Sequence, residues 1–347
     1  MKNNFTHLHT HSHYSLLTAL PKIPDLVKTA KENGMKALAL TDDGNMYATI
    51  EFYKECKKSD IKPIIGVDFY VAVRTRHDKQ HGIDNRRSRL IMLAKNETGY
   101  KNLLKLVSKA NLEGFYYKPR IDKELIEKYK DGLICISPHF AGEIAQALKV
   151  NNFEKAGEIT DWYKKIFGDN FYFELTHHPE ITGQIELKEK IIEFGKKNNV
   201  PIVATHDTYY LKKEDKKARD ILMSIQTSGG GSYSGEHDNF SFINQEQAQE
   251  YFKNTPEAIE NIQKIVDECN VEIDTDSWYF PEIEIPEKET YDSWLRKKTY
   301  EGIEKRGLTK TKEIEDRIEY ELEIIKNKGY SSYFLIVSDL INHARST

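Results

Sequence analysis

The sequence contains little cysteine and no long apolar run, and both absences narrow the class of protein. Only three cysteines occur in 347 residues, Cys56, Cys135 and Cys269, and no two of them form a CxxC pair. This spacing gives no sign of a disulfide framework, so a reducing compartment such as the cytoplasm is expected. No apolar stretch approaches the roughly 18 residues needed to cross a bilayer, and no basic and apolar leader is visible, which predicts no membrane partner.

A strong net charge is also missing. The chain carries 51 Lys and Arg against 55 Asp and Glu, a formal net charge of −4, so composition alone does not indicate nucleic-acid binding. One basic stretch, formed by Arg86, Arg87 and Arg89, suits either a phosphate contact or a solvated loop end. With 39% apolar and 31% charged residues, the composition is typical of a globular protein with one large domain or two ordinary ones.

What the sequence does contain is a repeated alternation of short β-rich runs with helix-like segments. The strand candidates number seven, at residues 5–9, 37–40, 62–72, 89–94, 132–137, 171–175 and 201–205. Between them lie segments with apolar residues three or four positions apart, at 23–34, 99–111, 152–167 and 186–199. This alternation predicts an α/β fold with a parallel sheet, and the number of units favours a barrel. An open doubly wound sheet fits the same pattern.

The last part of the chain departs from this alternation. Residues 227–239 are rich in glycine and serine and predict a surface loop. Residues 276–290 carry two prolines and no periodicity, which indicates a linker. Beyond the linker, Ile314, Ile318, Leu322 and Ile325 share one face of a predicted helix. We therefore expect one domain at 1–275 and an incomplete, mostly helical one at 291–347.

Histidine and aspartate recur at or near the ends of the predicted strands. In chain order these residues are His9, His11, Asp42, Asp43, Asp68, His139, His177, His178, His206 and Asp207. Because the loops that follow the strands of a parallel barrel open at one face, these side chains are expected to meet there. Imidazoles and carboxylates without thiolates suit Zn, Mn or Fe, and such a cluster favours phosphoester hydrolysis. An amidohydrolase-like barrel that acts on C–N bonds uses similar ligands, so both chemistries remain open.

Several longer motifs resemble a known family. They are HxHSxxS at His9 to Ser15, then ALALTDDGNMYATIEFYKECKKSDIKPIIGVDFYV, AKNETGYKNLLKLVSKA, GFYYKPRID and ATHDTYYL. These motifs are similar to the N-terminal region of the bacterial DNA polymerase III alpha subunits, the polymerase and histidinol phosphatase (PHP) domain. NTPEAIENIQKIVDECNVEI and YELEIIKNKGYSSYFLIVSDLI resemble the end of that domain and the start of the polymerase palm. The resemblance covers nearly the whole chain and implies a distorted seven-stranded β/α barrel.

The resemblance also implies a metal site with up to three ions. The matching ligand positions are His9, His11, Asp43, Asp68, His139 and Asp207, and the neighbouring His177, His178 and His206 are additional candidates. Asp43 stands where the family more often has histidine, and His139 where it usually has cysteine; both residue types bind metals.

Three other positions depart further from the family pattern. Thr18 stands where an acidic residue is common, and Arg89 and Tyr209 stand where histidines are common. Threonine and tyrosine are poor ligands, and an arginine is expected to repel cations and to pair with Asp43 or Asp68. His7 and His13 lie outside the ligand pattern and are expected to be structural or surface residues.

Three functions follow from these features. The first is the N-terminal part of a replicative alpha subunit whose PHP domain serves as a structural and interaction module, which the altered positions favour. The alternatives are a metal-dependent 3′ to 5′ exonuclease at the PHP site and a freestanding PHP-family phosphatase. In the intact family enzyme, palm aspartates hold Mg²⁺ for DNA polymerisation, and they lie beyond residue 347 in the family pattern. The resemblance implies DNA, a proofreading exonuclease subunit and a sliding clamp as partners.

Overall fold

The computed structural model describes residues 5–225, 235, 238–277 and 279–346. Most of the loop predicted at 227–239 therefore lies outside the described residues. The chain divides into two compact units, residues 1–273 and 274–347, which are described separately below. None of the described helices is long and apolar enough to cross a membrane.

Eight strands form a mixed sheet in the described part of the first unit. They are β1 (Ala37–Leu40), β2 (Lys62–Ala72), β3 (Arg87–Ala94), β4 (Phe115–Tyr116), β5 (Lys118–Ile121), β6 (Leu133–Ser137), β7 (Phe171–Leu175) and β8 (Ile202–Ala204). The hydrogen-bonded order is β4-β5-β2-β3-β6-β7-β8, and β1 pairs with the first residues of β2. Strands β1, β2, β6, β7 and β8 are buried along almost their whole length, as their continuous apolar sequences suggest.

Residues 7–11 complete the curl of this sheet into a distorted barrel. On one side, Ala39 N donates to His7 O at 2.9 Å and Thr41 N donates to Thr10 O at 2.9 Å. On the other side, His11 N donates to Thr208 O at 2.9 Å. The segment therefore lies between β1 and the chain that follows β8. Together with β1, β2, β3, β6, β7 and β8 it makes the seven members expected from the sequence. It pairs through one isolated bridge, Thr10 with Thr208, and through the hydrogen bonds above rather than as a regular strand.

The sheet is mixed rather than parallel, which corrects one expectation. Strand β3 runs antiparallel to both β2 and β6, because no helix occurs in residues 73–86 to carry the chain back across the barrel. The short hairpin of β4 and β5 was also not predicted. Its two residues in β4 and four in β5 are too few to show an alternating pattern.

Ten α-helices surround the sheet in the described part of this unit. They are α1 (Ile23–Glu32), α2 (Thr49–Lys58), α3 (Glu97–Leu112), α4 (Lys123–Lys128), α5 (Glu143–Lys149), α6 (Phe153–Phe167), α7 (Gln184–Lys197), α8 (Lys216–Ser224), α9 (Gln245–Tyr251) and α10 (Pro256–Glu268). The four helices predicted from periodicity correspond to α1, α3, α6 and α7. Helix α1 begins with a proline in its first turn and ends just before Gly34, whose φ of +70° stops the helix.

The second unit consists of three helices in its described residues, α11 (Tyr291–Lys305), α12 (Lys312–Asn327) and α13 (Ser331–Ser346). Leu295 and Ile303 of α11 and Leu335 of α13 are buried, and Ser331 Oγ donates to Asp292 Oδ1 at 2.6 Å. The apolar face predicted for α12, which contains Ile314 and Leu322, is only half-buried.

Candidate metal centre

Five of the side chains predicted to meet at the strand ends converge in one largely buried cluster. His9 and His11 lie on the N-terminal segment, Asp43 follows β1, Asp68 lies within β2, and Asp207 follows β8. His9, His11, Asp68 and Asp207 are each at most 7% exposed. Asp43 joins Asp68 through a parallel bridge between their backbones. The topology of the barrel therefore accounts for the convergence, because the segments that carry His9, His11, Asp43 and Asp207 meet at one rim and Asp68 of β2 pairs with Asp43 there.

His9, His11 and Asp207 form the first of two ligand groups. Their ligand atoms all lie within 4.8 Å of one another. His11 Nε2 is 3.1 Å and His9 Nε2 is 3.4 Å from the same oxygen, Asp207 Oδ1. Two imidazole nitrogens and a carboxylate oxygen that face one point are a donor set suited to one Zn²⁺, Mn²⁺ or Fe ion.

Glu174 orients His9 within this group. His9 Nδ1 donates to Glu174 Oε1 at 2.8 Å, so Nε2 is left to face Asp68 and Asp207. The same carboxylate accepts from Thr205 Oγ1 at 2.6 Å and from His139 N at 2.8 Å. A carboxylate behind a ligand histidine fixes its ring and raises its basicity. Sequence reasoning missed Glu174, although an acidic residue inside the otherwise apolar strand FYFEL was the available signal.

An arginine contacts the second ligand group, which consists of His11, Asp43 and Asp68. The Arg89 Nη2 group donates to Asp43 Oδ1 and to Asp68 Oδ2 and so bridges the two carboxylates. The antiparallel register places Arg89 opposite Tyr70 on β2, and Asp68 lies two residues away on the same face. The guanidinium also stacks over the Tyr70 ring, 4.3 Å from its centre. The pairing expected from the sequence is therefore present with both aspartates.

These contacts fix the charges in the cluster. Burial opposes ionisation of Asp43 and Asp68, but the Arg89 guanidinium outweighs it and holds the pKa of each carboxyl below its ordinary value. The pKa of Asp207 is also lowered, since His9 and His11 outweigh its burial. Burial disfavours the His9 cation, yet Asp207 and Glu174 raise its pKa well above the ordinary value.

The remaining departures from the ligand pattern also have structural partners. Thr18 Oγ1 donates to Asp43 Oδ2 at 2.9 Å. The Tyr209 ring stacks on His11, with ring centres 4.3 Å apart and planes 8° from parallel. Arg219 lies over the Tyr209 ring, 3.9 Å from its centre, and its Nε donates to Thr18 O at 3.0 Å. Thr18, Arg89 and Tyr209 thus link to one another around the cluster by hydrogen bonds and ring stacking.

Asp42 supports the backbone of the N-terminal segment. One of its oxygens, Oδ1, accepts from Ser12 N at 2.7 Å and from Ser15 Oγ at 2.6 Å. The other, Oδ2, accepts from Ser12 Oγ at 2.7 Å. These bonds explain why serines stand at both positions of the HxHSxxS motif. Asp42 therefore holds the turn after His11, while Asp43 points to the ligand group.

Comparison with known proteins shows which families the chain resembles. Residues 7–178 match the PHP domain family, and residues 293–347 match the family described as the bacterial DNA polymerase III alpha NTPase domain. The chain contains a PHP domain. It is also related along nearly its whole length to proteins named DNA polymerase III subunit alpha, as expected from its motifs.

Three such relatives show the extent of the relationship. The subunit from Borreliella burgdorferi is 42% identical over 350 residues, and the match covers 99% of this chain and 30% of the relative. The subunits from Treponema pallidum and Aquifex aeolicus are 38% and 37% identical, with 99% of this chain covered in each case and 30% and 32% of the relatives. The chain spans about 30% of the length of these relatives.

Solved structures give weaker similarities. An amidohydrolase from Chromobacterium violaceum aligns with a TM-score of 0.40 and 11% identity, covering 59% of this chain and 87% of that one. A protein from Bifidobacterium adolescentis described as a metal-dependent phosphoesterase aligns with a TM-score of 0.42 and 11% identity, covering 72% of this chain and 96% of that one.

The other histidines lie outside both ligand groups of the PHP site. His139 Nδ1 accepts from Thr176 N at 3.2 Å, which leaves the proton on Nε2. His178 and His206 stack on each other with ring centres 4.7 Å apart, and His177 stacks on Tyr251. The structure therefore does not bring His139, His178 or His206 into the two groups, and their assignment as ligands stays a prediction.

His7 and His13 occupy structural positions. His7 is fully buried, donates from Nε2 to Ile243 O at 3.0 Å and packs on Phe242. Burial lowers its pKa to about 4, so the ring is neutral. His13 is half-buried and bonds through Nδ1 to Pro21 O at 3.3 Å. Neither contributes to a ligand group among the described residues.

Proposed function

We propose that the chain is the N-terminal part of a DNA-directed DNA polymerase of the alpha-subunit type. The support is the names of relatives that match 99% of the chain, together with the match at residues 293–347 to the second family. The polymerase aspartates and their Mg²⁺ ions belong to a region beyond residue 347 in the family pattern.

Within this protein, the PHP domain acts as a structural and interaction module whose site holds no more than one metal ion. The observation that carries this proposal is the Arg89 bridge between Asp43 and Asp68. A guanidinium between two carboxylates supplies the positive charge that a second metal ion would otherwise supply. The group of His9, His11 and Asp207 keeps its donor atoms and fits one ion.

The proposal also covers the cellular compartment and the partners of the protein. We place it in the cytoplasm, in contact with DNA through the intact polymerase. Its partners are the other replication subunits, including the proofreading exonuclease subunit and the sliding clamp. These assignments rest on the names of the relatives and on the family resemblance.

A metal-dependent 3′ to 5′ exonuclease is the alternative, and the intact geometry of His9, His11 and Asp207 favours it. A clamp on both the attacking and the leaving oxygen of a phosphodiester requires two metal ions about 4 Å apart. Arg89 lies on the carboxylates that would hold the second ion, which argues against this chemistry. A freestanding phosphatase is disfavoured by the polymerase-related residues 293–347.

An exonuclease assay separates these functions. We expect no metal-dependent release of nucleotides from a 3′-labelled single strand in the presence of Mn²⁺, Zn²⁺ or Mg²⁺, because the second metal subsite is blocked. A double variant, His9→Ala with His11→Ala, is the control for contaminating nuclease. Metal-dependent degradation by the wild type that the double variant lacks would contradict the proposal and establish the exonuclease.

A further inference from the structure

The two histidines of the first ligand group are held in different ways. His9 is fixed by a carboxylate, since its Nδ1 donates to Glu174 Oε1 at 2.8 Å. The corresponding atom of His11 lies 3.4 Å from Ser15 Oγ and 3.7 Å from Asp43 Oδ1. Both distances exceed that of an ordinary hydrogen bond. The bond that usually fixes the ring of a ligand histidine is therefore weak for His11.

An aromatic ring lies flat against His11. The ring centres of Tyr209 and His11 are 4.3 Å apart, and their planes are 8° from parallel. The backbone of Tyr209 is anchored on both sides, because its N donates to Phe240 O at 3.0 Å and its O accepts from Leu20 N at 3.0 Å. Rotation of the imidazole about its Cβ–Cγ bond would drive it into the phenol ring, so the stack limits the direction in which Nε2 points.

Arg219 holds the Tyr209 ring. Its Cζ lies 3.9 Å from the centre of that ring and 5.0 Å from the centre of the Phe240 ring. Arg219 Nε also donates to Thr18 O at 3.0 Å, which fixes the plane of the guanidinium. The attraction between a guanidinium and an aromatic face is stronger away from water, and Arg219 is only 7% exposed.

Helix α8 carries this arginine and buries little else. Arg219 is the one buried residue of Lys216–Ser224, whereas Lys217 and Ile221 are exposed. An element with so little buried apolar surface opens locally at a low free energy. The docking of α8 on the barrel therefore depends on the contacts of Arg219.

We propose that Arg219 is a positioning residue for the metal ligand His11 and couples α8 to the metal centre. The guanidinium holds Tyr209, and Tyr209 keeps His11 Nε2 facing Asp207 Oδ1, 3.1 Å away. This inference rests on the proposed function, in which one ion binds to His9, His11 and Asp207. Because coupling between two sites is reciprocal, an ion that fixes His11 also stabilises the docked α8.

The zinc affinity of the full chain, measured by competition with a chromogenic chelator, tests the positioning role. Arg219→Met is expected to weaken Zn²⁺ binding about tenfold, because a mobile His11 ring has to be ordered when the ion binds. Tyr209→Leu should weaken binding by a similar factor. The double variant should bind no more weakly than Tyr209→Leu alone, since Arg219 acts through Tyr209.

Two further variants separate this role from a general loss of charge or stability. Arg219→Lys should recover part of the affinity, because lysine keeps the cation but lacks the planar group that stacks on the ring. Lys217→Met removes an exposed cation from the same helix and should bind Zn²⁺ like the wild type. Circular dichroism establishes that each variant is folded.

Amide hydrogen exchange of the wild type tests the coupling without any substitution. Saturation with Zn²⁺ should slow exchange in α8 severalfold, and it should leave exchange in α8 of Arg219→Met nearly unchanged. Helix α6, which packs on β6 and β7, is the internal reference.

The inference is overturned if a folded Arg219→Met binds Zn²⁺ as tightly as the wild type, or if the ion does not change exchange in wild-type α8. Additive losses in the double variant would also overturn it, because Arg219 would then act independently of Tyr209. The wild-type exchange and Arg219→Lys decide the matter if methionine prevents folding. The proposed function survives each of these results. Absence of Zn²⁺ binding by the wild type would instead overturn both the inference and the assignment of an ion to His9, His11 and Asp207.

Discussion

Replacement of Arg89 by methionine is expected to lower the free energy of unfolding by about 3–5 kcal/mol in metal-free buffer. The substitution keeps much of the side-chain volume but removes the cation that both Asp43 and Asp68 contact. Two largely buried carboxylates would then face each other without the guanidinium between them, and their mutual repulsion would favour protonation of one of them. Urea unfolding followed by circular dichroism measures the loss.

Added metal should partly restore the stability of Arg89→Met. With Asp43 and Asp68 released, a divalent cation at 100 times its dissociation constant would return about 2.7 kcal/mol. Arg86→Met is the control, since Arg86 is an exposed arginine three positions away and its loss should change stability by less than about 0.5 kcal/mol. An Arg89→Met protein as stable as the wild type in EDTA would show that the bridge does not neutralise the site.

Arg120→Met is expected to lower the free energy of unfolding by about 4 kcal/mol, a loss comparable to that of Arg89→Met. The cause in this case is the loss of hydrogen bonds rather than of an ion pair. Each of the four carbonyls that accept from Arg120 would lose a charged donor inside the protein. The guanidinium joins β5 to residues 76–84, which have no strand or helix of their own. Urea unfolding again gives the size of the effect.

Arg120→Lys separates charge from geometry at this position. Lysine keeps the positive charge but offers its donors from one point, so it cannot reach carbonyls that diverge around a planar guanidinium. We expect an intermediate loss for lysine. If Arg120→Lys were as stable as the wild type, charge alone would matter and the fixed position of the hairpin would need another explanation.

Much of the barrel could be predicted because its strands are buried and contiguous. Strands such as β2 and β6 read as continuous apolar runs, and the helices between them show clear apolar periodicity. The direction of β3 could not be predicted. It runs antiparallel to β2 because residues 73–86 form no helix, and no sequence pattern indicates the direction of the returning strand. The β4–β5 hairpin was missed because its register is fixed by Arg120 and tertiary contacts rather than by local pattern.

The site could be predicted where the residue type by itself indicates the chemistry. Histidine and aspartate at strand ends indicated His9, His11 and Asp207, and the arginine at position 89 indicated a pairing with nearby carboxylates. Glu174 was missed because its role depends on a contact across 165 residues of sequence, to His9. His139, by contrast, was predicted as a ligand from the family pattern, yet its Nδ1 accepts a backbone hydrogen bond in this structure.

Metal content tests the central claim most directly. Tag-free protein is equilibrated with Zn²⁺ or Mn²⁺, freed of unbound ions and analysed by plasma emission spectrometry, beside the double variant His9→Ala with His11→Ala. No more than one equivalent per chain is predicted, and the double variant should hold none. Two or more equivalents in the wild type, lost in the double variant, would contradict the claim that Arg89 takes the place of the second ion.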